Sequence, residues 1–434
     1  MYSWTGARME AALRWFTGNE RAEERIQQGI EQNRKGDFRV RITGIPDGTR
    51  VSYRLVNHAF RFGANLFMLD QYSDDRQNAG YRAAFPRTFN LATLPFYWKD
   101  QEPEQGKPRY AAGSKPIFRR PPTDVCLDYC LEQHIEPKAH CLNYDFFRPN
   151  WLKGATVAEH RRALTKRFAE LAERYRTRIP SWEVTNETFN DPYDLYSDFY
   201  QQPDFVSWSF REAKRYFPGN RLIINDHTAL GCMMLPHGDI VPNRSAYYVQ
   251  IRELLRDPEI RLDSIGFQYH SFFPVEQEAE LARYRYNPDN LFRILDEYAA
   301  LGPKMQITEM TIPAYSTDPA DEAVQAALLR ATYRLFFSLP AMEAIVYWNL
   351  VDGGASGSEN HYCGGLLRPN LTKKPAYEAL EELLREWHTE GKTESTYGVV
   401  SFRGFYGDYM LTVGQREYAI SLTEDTPTAS ISIS

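Results

Sequence analysis

Ser181-Trp-Glu-Val-Thr-Asn-Glu187 and Met305-Gln-Ile-Thr-Glu309 are two short apolar runs, each ending on a glutamate. A carboxylate placed where a buried strand meets solvent is held rigidly and still reaches a ligand. Six further runs of the same kind accompany them, at 61–67, 89–95, 135–143, 221–227, 264–270 and 344–350. Most are separated by segments of helical periodicity, such as 164–175 and 323–333. Short strands alternating with helices specify a parallel sheet. Eight repeats without a crossover glycine fingerprint favour closure into a (β/α)8 TIM barrel over an open doubly wound sheet, so the fold class is α/β.

The two ends of the chain read differently. Residues 1–35 are charged and helical. Asp37-Phe-Arg-Val-Arg-Ile-Thr43 and Val51-Ser-Tyr-Arg-Leu-Val56 alternate apolar and polar, as half-buried strands do, around the turn Ile45-Pro-Asp-Gly-Thr49. They predict a hairpin. The last 40 or so residues alternate likewise in Gly398-Val-Val-Ser-Phe-Arg403, Tyr409-Met-Leu-Thr-Val413 and Glu417-Tyr-Ala-Ile-Ser-Leu422. Neither group has enough strands for an independent sheet with a core. The expectation is one small all-β sandwich built from both termini. The organisation is then an N-terminal helix and hairpin at 1–57, a catalytic barrel at 58–388 and completing strands at 389–434.

Composition excludes several classes. Lys and Arg number 51 against 57 Asp and Glu, and this mild acidity of −6 argues against a nucleic-acid partner. Aromatics reach 14%, most of them explained by the core, though aromatic faces also stack on sugar rings. Cys126, Cys130, Cys141, Cys232 and Cys363 form an odd set with no disulfide framework, which suits reduced thiols; Cys126 and Cys130 read as core thiols on a helix. Met1-Tyr-Ser-Trp-Thr-Gly-Ala-Arg8 is not a signal peptide and no run of about 18 apolar residues exists, so a cytoplasmic chain without a membrane span is expected. There is no His-Glu-x-x-His and no Cys/His quartet, so neither a metal nor a cofactor is expected, and the absence of Gly-x-Ser-x-Gly removes the usual hydrolase nucleophile elbow. Asp70, Asp74 and Asp75 read as a solvated loop. The glycine-rich stretch Asp352-Gly-Gly-Ala-Ser-Gly-Ser-Glu-Asn-His-Tyr-Cys-Gly-Gly365 lacks a phosphate-loop arrangement. It reads as a lid from which Glu359, Asn360, His361 or Tyr362 reaches in. Oligomeric state is not specified.

The carboxyl ends of barrel strands carry active sites. Here they present His140 with Tyr144 and Asp145 beyond it, Asn186-Glu187, Asn225-Asp226-His227, Gln268-Tyr-His270, Glu309 and Trp348-Asn349. The fourth and seventh strands face each other across the mouth. Two carboxyl groups about 5–5.5 Å apart are the equipment for cleaving a glycosidic bond with retention. Glu187 is assigned as acid/base and Glu309 as nucleophile. The Asn186 amide would meet a sugar 2-hydroxyl, and the His270 imidazole would hold Glu309 ionised. Glu187 is expected to titrate above Glu309, with a bell-shaped pH–rate profile.

Trp182-Glu-Val-Thr-Asn-Glu187 resembles the Trp-Asp-Val-Val-Asn-Glu motif of glycoside hydrolase family 10, the β-1,4-xylanases. Ile307-Thr-Glu309-Met310 resembles that family's Ile-Thr-Glu-Leu segment. Phe62-Gly-Ala64, Trp98-Lys-Asp-Gln-Glu-Pro-Glu-Gln-Gly-Lys107, His140, Pro149-Asn-Trp-Leu152, Asn225-Asp226, Gln268-x-His270 and Lys374-Pro-Ala-Tyr-Glu-Ala-Leu380 follow in family order. The resemblance covers about residues 58–385. It implies a (β/α)8 fold and a retaining hydrolase of β-1,4-xylan or a related plant β-glycan. Substrate-binding positions are Asn186, His140, Tyr144, Gln268, His270, Trp348, Trp98 and Tyr97. One stretch departs. Thr93-Leu-Pro-Phe-Tyr-Trp98 stands where the family has Glu-Asn-x-x-Lys-Trp, and Tyr144-Asp145 stands where it has Trp-His. Removing paired donors and acceptors from a sugar site changes which sugar it accepts. An exo-acting β-glycosidase on a non-xylan, aryl or hydrophobic β-glycoside is therefore an alternative. So is a non-catalytic carbohydrate-binding barrel.

Overall fold

The computed structural model describes residues 4–189, 197–227 and 241–433. Cys232 lies outside the described residues. Eight parallel strands close into a barrel: β3 (Arg61–Asn65), β4 (Leu91–Pro95), β5 (Glu136–His140), β6 (Ser181–Asn186), β7 (Arg221–Asp226), β8 (Ser264–His270), β9 (Lys304–Thr311) and β10 (Met342–Tyr347). They follow chain order, with β10 closing on β3. Each expected run overlaps one of these strands. Apolar continuity, rather than alternation, marks strands covered on both faces, and β4 and β6 are buried at every position.

The covering helices form for local reasons. Val157–Tyr175 starts at a reciprocal capping box between Thr156 and Glu159 and buries His160, Leu164, Phe168, Leu171 and Tyr175 along one face. Pro319–Ser338 starts at Asp318, whose side chain accepts from the Ala320 N–H. Among the described residues, no helix is long and apolar enough to cross a membrane.

The termini supply two further sheets. β1 (Lys35–Thr43) lies between β12 (Val399–Phe405) and β15 (Thr428–Ser432). β2 (Arg50–His58) lies between β11 (Glu390–Glu394) and β13 (Gly407–Val413), with β14 (Arg416–Leu422) at the edge. The expected hairpin of β1 with β2 therefore does not form. Both strands have an apolar face to bury. Phe38, Val40 and Ile42 of β1, and Val51 and Leu55 of β2, are buried in separate sheets. The turn between them carries the chain from one sheet to the other. Phe402 stacks on Tyr53 with centroids 4.0 Å apart and meets Phe38 edge-on at 5.4 Å, which ties the two sheets together.

This unit is anchored to the barrel by Arg34, at the end of the helix Glu20–Asn33. Its guanidinium donates to the carbonyls of Phe337, Leu339 and, at 2.8 Å, Met342. It thereby satisfies the carboxyl end of the helix Pro319–Ser338, where unpaired carbonyls favour a cation.

Replacing Phe38 by alanine removes a ring that touches Phe402, Tyr406 and Tyr409. Chemical denaturation should show a loss of about 3–5 kcal/mol. A loss below about 1 kcal/mol would mean that this ring does not knit the two sheets together.

Candidate active site

The carboxyl ends of β4 to β10 open into a cavity of about 590 Å³ that both Glu187 and Glu309 line. Glu187 follows β6 with φ +49°. That left-handed conformation is costly for a residue with a Cβ, and it turns the side chain off the strand direction. Its N–H donates to the Asn225 carbonyl at 3.1 Å. Its Oε2 accepts from the Tyr144 hydroxyl at 2.5 Å and its Oε1 from Gln268 Nε2 at 3.0 Å. Burial, then the Glu187 charge, pushes the Tyr144 hydroxyl far above its ordinary range, so it stays a donor.

Glu309 sits in β9 and is 4% exposed. Its Oε1 accepts from Asn225 Nδ2 at 2.8 Å and its Oε2 meets His270 Nε2 at 3.1 Å. Strand register sets this pattern, pairing Asn186 with Asn225, Asn225 with Gly266 and Gln268 with Glu309. Asn225 Nδ2 also donates to Asn186 Oδ1 at 2.8 Å, and Gln268 Nε2 reaches the same oxygen at 3.3 Å. A chain of three amides thus joins the two carboxylates. Asn186 accepts through its oxygen and keeps its Nδ2 donor for the cavity that it lines. Gly266 makes room for this: a Cβ there would stand 2.9 Å from Asn225 Oδ1 and 2.8 Å from the Ile224 carbonyl.

Beneath Glu309 lies a cluster of buried charge. Lys138 Nζ is 2.5 Å from Glu183 Oε1, and His140 Nδ1 donates to Glu183 Oε2. Lys138 and His140 are two apart on β5 and so share a face. Burial opposes charge on Glu183, but Lys138 and His140 outweigh it and hold its carboxyl down at about 2. Burial likewise opposes charge on His140, but Glu183 and then Glu309 overcome it and raise its pKa. Its Nε2 lies 3.0 Å from the Tyr97 hydroxyl. His140, Glu183 and Glu309 bring ligand atoms within 4.8 Å of one another, close enough for a metal ion. The Lys138 ammonium already supplies a cation at Glu183.

The expected role of His270 needs correction. Burial lowers it to about 4, so at neutral pH it is an uncharged imidazole. Its Nδ1 lies 2.9 Å from the Thr311 hydroxyl, which leaves Nε2–H to donate to Glu309. It holds Glu309 by a neutral hydrogen bond and not by charge. Nor is Glu309 held ionised. Burial pushes it up to about 8; the charge of His140 lowers it, while those of Glu183 and Glu187 raise it.

Of the residues expected to meet substrate, Asn186, His140, Tyr144, Gln268, His270, Trp348 and Tyr97 line the cavity. Trp98 does not. Its ring is buried against Trp151 and His160, with Nε1 donating to Glu102 at 2.8 Å. Thr93 and Leu94 are fully buried and also miss the cavity, so of the altered stretch Tyr97 is the residue that faces it. In the loop after β10, Glu359 and Ser356 reach the cavity. Asn360 instead pins the loop through the Ala355 backbone, and Tyr362 packs on Phe272. Asp70 pairs with Arg82 at the surface. Sequence reasoning missed Lys138 and Glu183. Their signal was present: a charged residue in the middle of a strand buried on both faces must have a partner.

Residues 67–383 match the model of the family described as glycosyl hydrolase family 10. The chain is 24% identical to the anti-sigma-I factor RsgI6 of Acetivibrio thermocellus, across 93% of this chain and 49% of that protein. It is also 24% identical to endo-1,4-beta-xylanase 1 of Arabidopsis thaliana, across 93% of this chain and 39% of that one. The chain thus spans about half or less of the length of these relatives. Among solved structures, xylanase 10B from Thermotoga petrophila in complex with xylobiose superposes with a TM-score of 0.60 at 23% identity, covering 76% of this chain and 94% of that one. That likeness is one of fold.

Two substitutions should move stability in opposite directions. Glu309 is raised from 4.5 to about 8, so folding takes up its proton and its contribution is lost as pH rises through that window. Glu309→Gln should therefore stabilise the protein near pH 8 by on the order of 2–4 kcal/mol, with the gain vanishing below about pH 4.5. Glu183 is lowered to about 2, so its contribution is present above 4.5 and lost on acidification. Glu183→Gln strands Lys138 and His140 in a dry interior and should cost about 3–5 kcal/mol at neutral pH. Urea unfolding across pH checks both, and the same sign for the two variants would contradict this charge arrangement.

Proposed function

The chain belongs to glycosyl hydrolase family 10, and from that premise we propose that it is a retaining β-glycoside hydrolase, xylanase-like in substrate class. The observation that carries this reading is the pair Glu187 and Glu309, contributed by opposite staves of the barrel to one cavity and joined by the amides of Asn225, Asn186 and Gln268.

In this reading Glu309 attacks the anomeric carbon while Glu187 gives a proton to the leaving oxygen. A covalent glycosyl ester forms on Glu309. Glu187 then takes a proton from water, which attacks the same carbon and restores the configuration. Tyr144 and Gln268 both donate to Glu187, which steadies its charge after the first proton transfer. Asn186 offers its Nδ2 to a sugar hydroxyl. Tyr97, hydrogen-bonded to His140 at 3.0 Å, presents its hydroxyl to the cavity. The rings of Trp348, Tyr97 and Phe67 supply apolar faces for the sugar. The buried free thiols Cys126, Cys130 and Cys141 support a reducing, cytoplasmic setting.

Burial, and then the neighbouring charges of Glu183 and Glu187, raise Glu309 to about 8. The productive form has the proton on Glu187 and a bare Glu309. Activity should thus be lost on acidification through the raised pKa of Glu309, and the acidic limb of kcat/KM should lie above the ordinary carboxylate range.

The test uses a panel of aryl β-glycosides and xylo-oligosaccharides, with products followed by nuclear magnetic resonance. The first product should be the β-anomer. Glu187→Gln and Glu309→Gln should each lower kcat by about a thousandfold or more on substrates with poor leaving groups. Activity on no β-glycoside, full activity in both variants, or an inverted product would overturn the assignment. An acidic limb at pH 4 to 5 would contradict the proton accounting while leaving the two roles in place.

A further inference from the structure

Arg119 lines the cavity and has no part in the reaction above. It lies in the loop between β4 and the helix Thr123–Glu132 and lines the cavity with its neighbour Arg120. It is 6% exposed and its backbone is left-handed, with φ +60°. A non-glycine residue is held there only when its surroundings over-determine it. The surroundings are specific. Nε donates to the Gly354 carbonyl at 2.7 Å, and Nη2 donates to Asn349 Oδ1 at 3.2 Å. The Phe67 ring lies 5.5 Å from the guanidinium carbon.

Both acceptors are neutral. Among the described residues, none accepts from Nη1, and no carboxylate comes within ion-pair distance. Three other buried arginines differ. Arg34, Arg109 and Arg167 each donate to two or more backbone carbonyls and do not line this cavity. Arg120 does line it, but its Nε is 2.7 Å from Asp100. The charges that bear on Arg119 are Arg120, which opposes it, and Glu359 on the loop after β10, together with Tyr97 and Tyr81. Burial, then Arg120, lowers Arg119 to about 10, as expected of a cation without a close counter-charge.

We propose that the cavity takes a β-glycoside carrying a carboxylate, a uronosyl group, and that Arg119 binds that carboxylate through its Nη1 and Nη2 edge. The inference rests on the hydrolase reading and narrows its substrate class. A carboxylate is planar with two acceptors, which matches the free edge of a guanidinium better than a hydroxymethyl group does. The Nε edge is committed to Gly354 and Asn349, so the fork is already oriented. Ordering cost on binding is then small.

Two matched pairs of probes test this on the full chain. The first pair is 4-nitrophenyl β-D-glucuronide and 4-nitrophenyl β-D-glucoside, which differ only at C6. The second is xylotetraose with and without a single glucuronosyl branch. In at least one pair the acidic member should have the higher kcat/KM by about tenfold or more. Arg119→Met should bring that acidic-to-neutral ratio to about one, whatever it does to absolute rates, and Arg119→Lys should retain part of it. A purely structural Arg119 would lower both members of a pair alike and leave the ratio unchanged, which overturns the proposal. Equal or neutral-favoring rates in wild-type protein for both pairs also overturn it, with no variant needed. Failure to cleave any of the four probes would remove the hydrolase reading itself and this inference with it.

Discussion

Glu183 lies at the bottom of the site with no access to water, between Lys138 and His140, and the carboxylate above it, Glu309, depends on that arrangement. A lone charge in such a place would be far too costly; a set of charges is tolerated only when it balances. With His140 protonated and Glu309 ionised, Lys138 and His140 offset Glu183 and Glu309. With Glu309 protonated, one positive charge is left over. Burial and the two neighbouring carboxylates pull the other way and raise Glu309. The site is therefore poised: small changes in charge at the mouth, including a bound ligand, shift where the proton rests. Such poise is a common price of function, since groups tuned for chemistry are seldom at their most stable.

The remainder of the fold serves this placement. Strand register brings Asn225 beside Asn186 on one side and beside Gly266 on the other. The missing side chain at 266 lets the Asn225 amide reach both Asn186 and Glu309. Irregularities between Glu183 and Thr185 on β6, and between Phe267 and Gln268 on β8, lie just before the residues that grip Glu187 and Glu309. Bulges next to active sites re-aim side chains in this way. The sandwich built by both termini sits apart from the cavity, tied to the barrel through Arg34.

Much of this was legible before any coordinates. Apolar runs buried on both faces announce barrel strands, and all eight lie where the runs do, because length and continuity separate such strands from helices. Glu187 and Glu309 announced themselves as carboxylates at strand ends, and both line one cavity. Pairing between β1 and β2 was misread, because alternation shows that a strand has one apolar face but not whether its neighbour lies beside it or opposite. Trp98 was misplaced for a related reason: a motif locates a residue along the chain, while the short helix Trp98–Gln101 turns its ring into the core. His270 was given a charge that burial removes. Arg119 escaped notice because its meaning lies in what surrounds it, two neutral acceptors and an open edge, and no local pattern encodes that.

The central claim is that Glu309, and not Glu187, forms the covalent bond to sugar. A 2-deoxy-2-fluoro β-glycoside with a good leaving group slows both steps but hydrolysis of the intermediate more, so the glycosyl ester accumulates. Intact-mass analysis after incubation, followed by peptide mapping, locates the adduct. The account predicts one added sugar per chain, carried by the peptide containing Met305-Gln-Ile-Thr-Glu309 and absent after Glu309→Gln. An adduct on Glu187, or time-dependent inactivation with no adduct on Glu309, would contradict it.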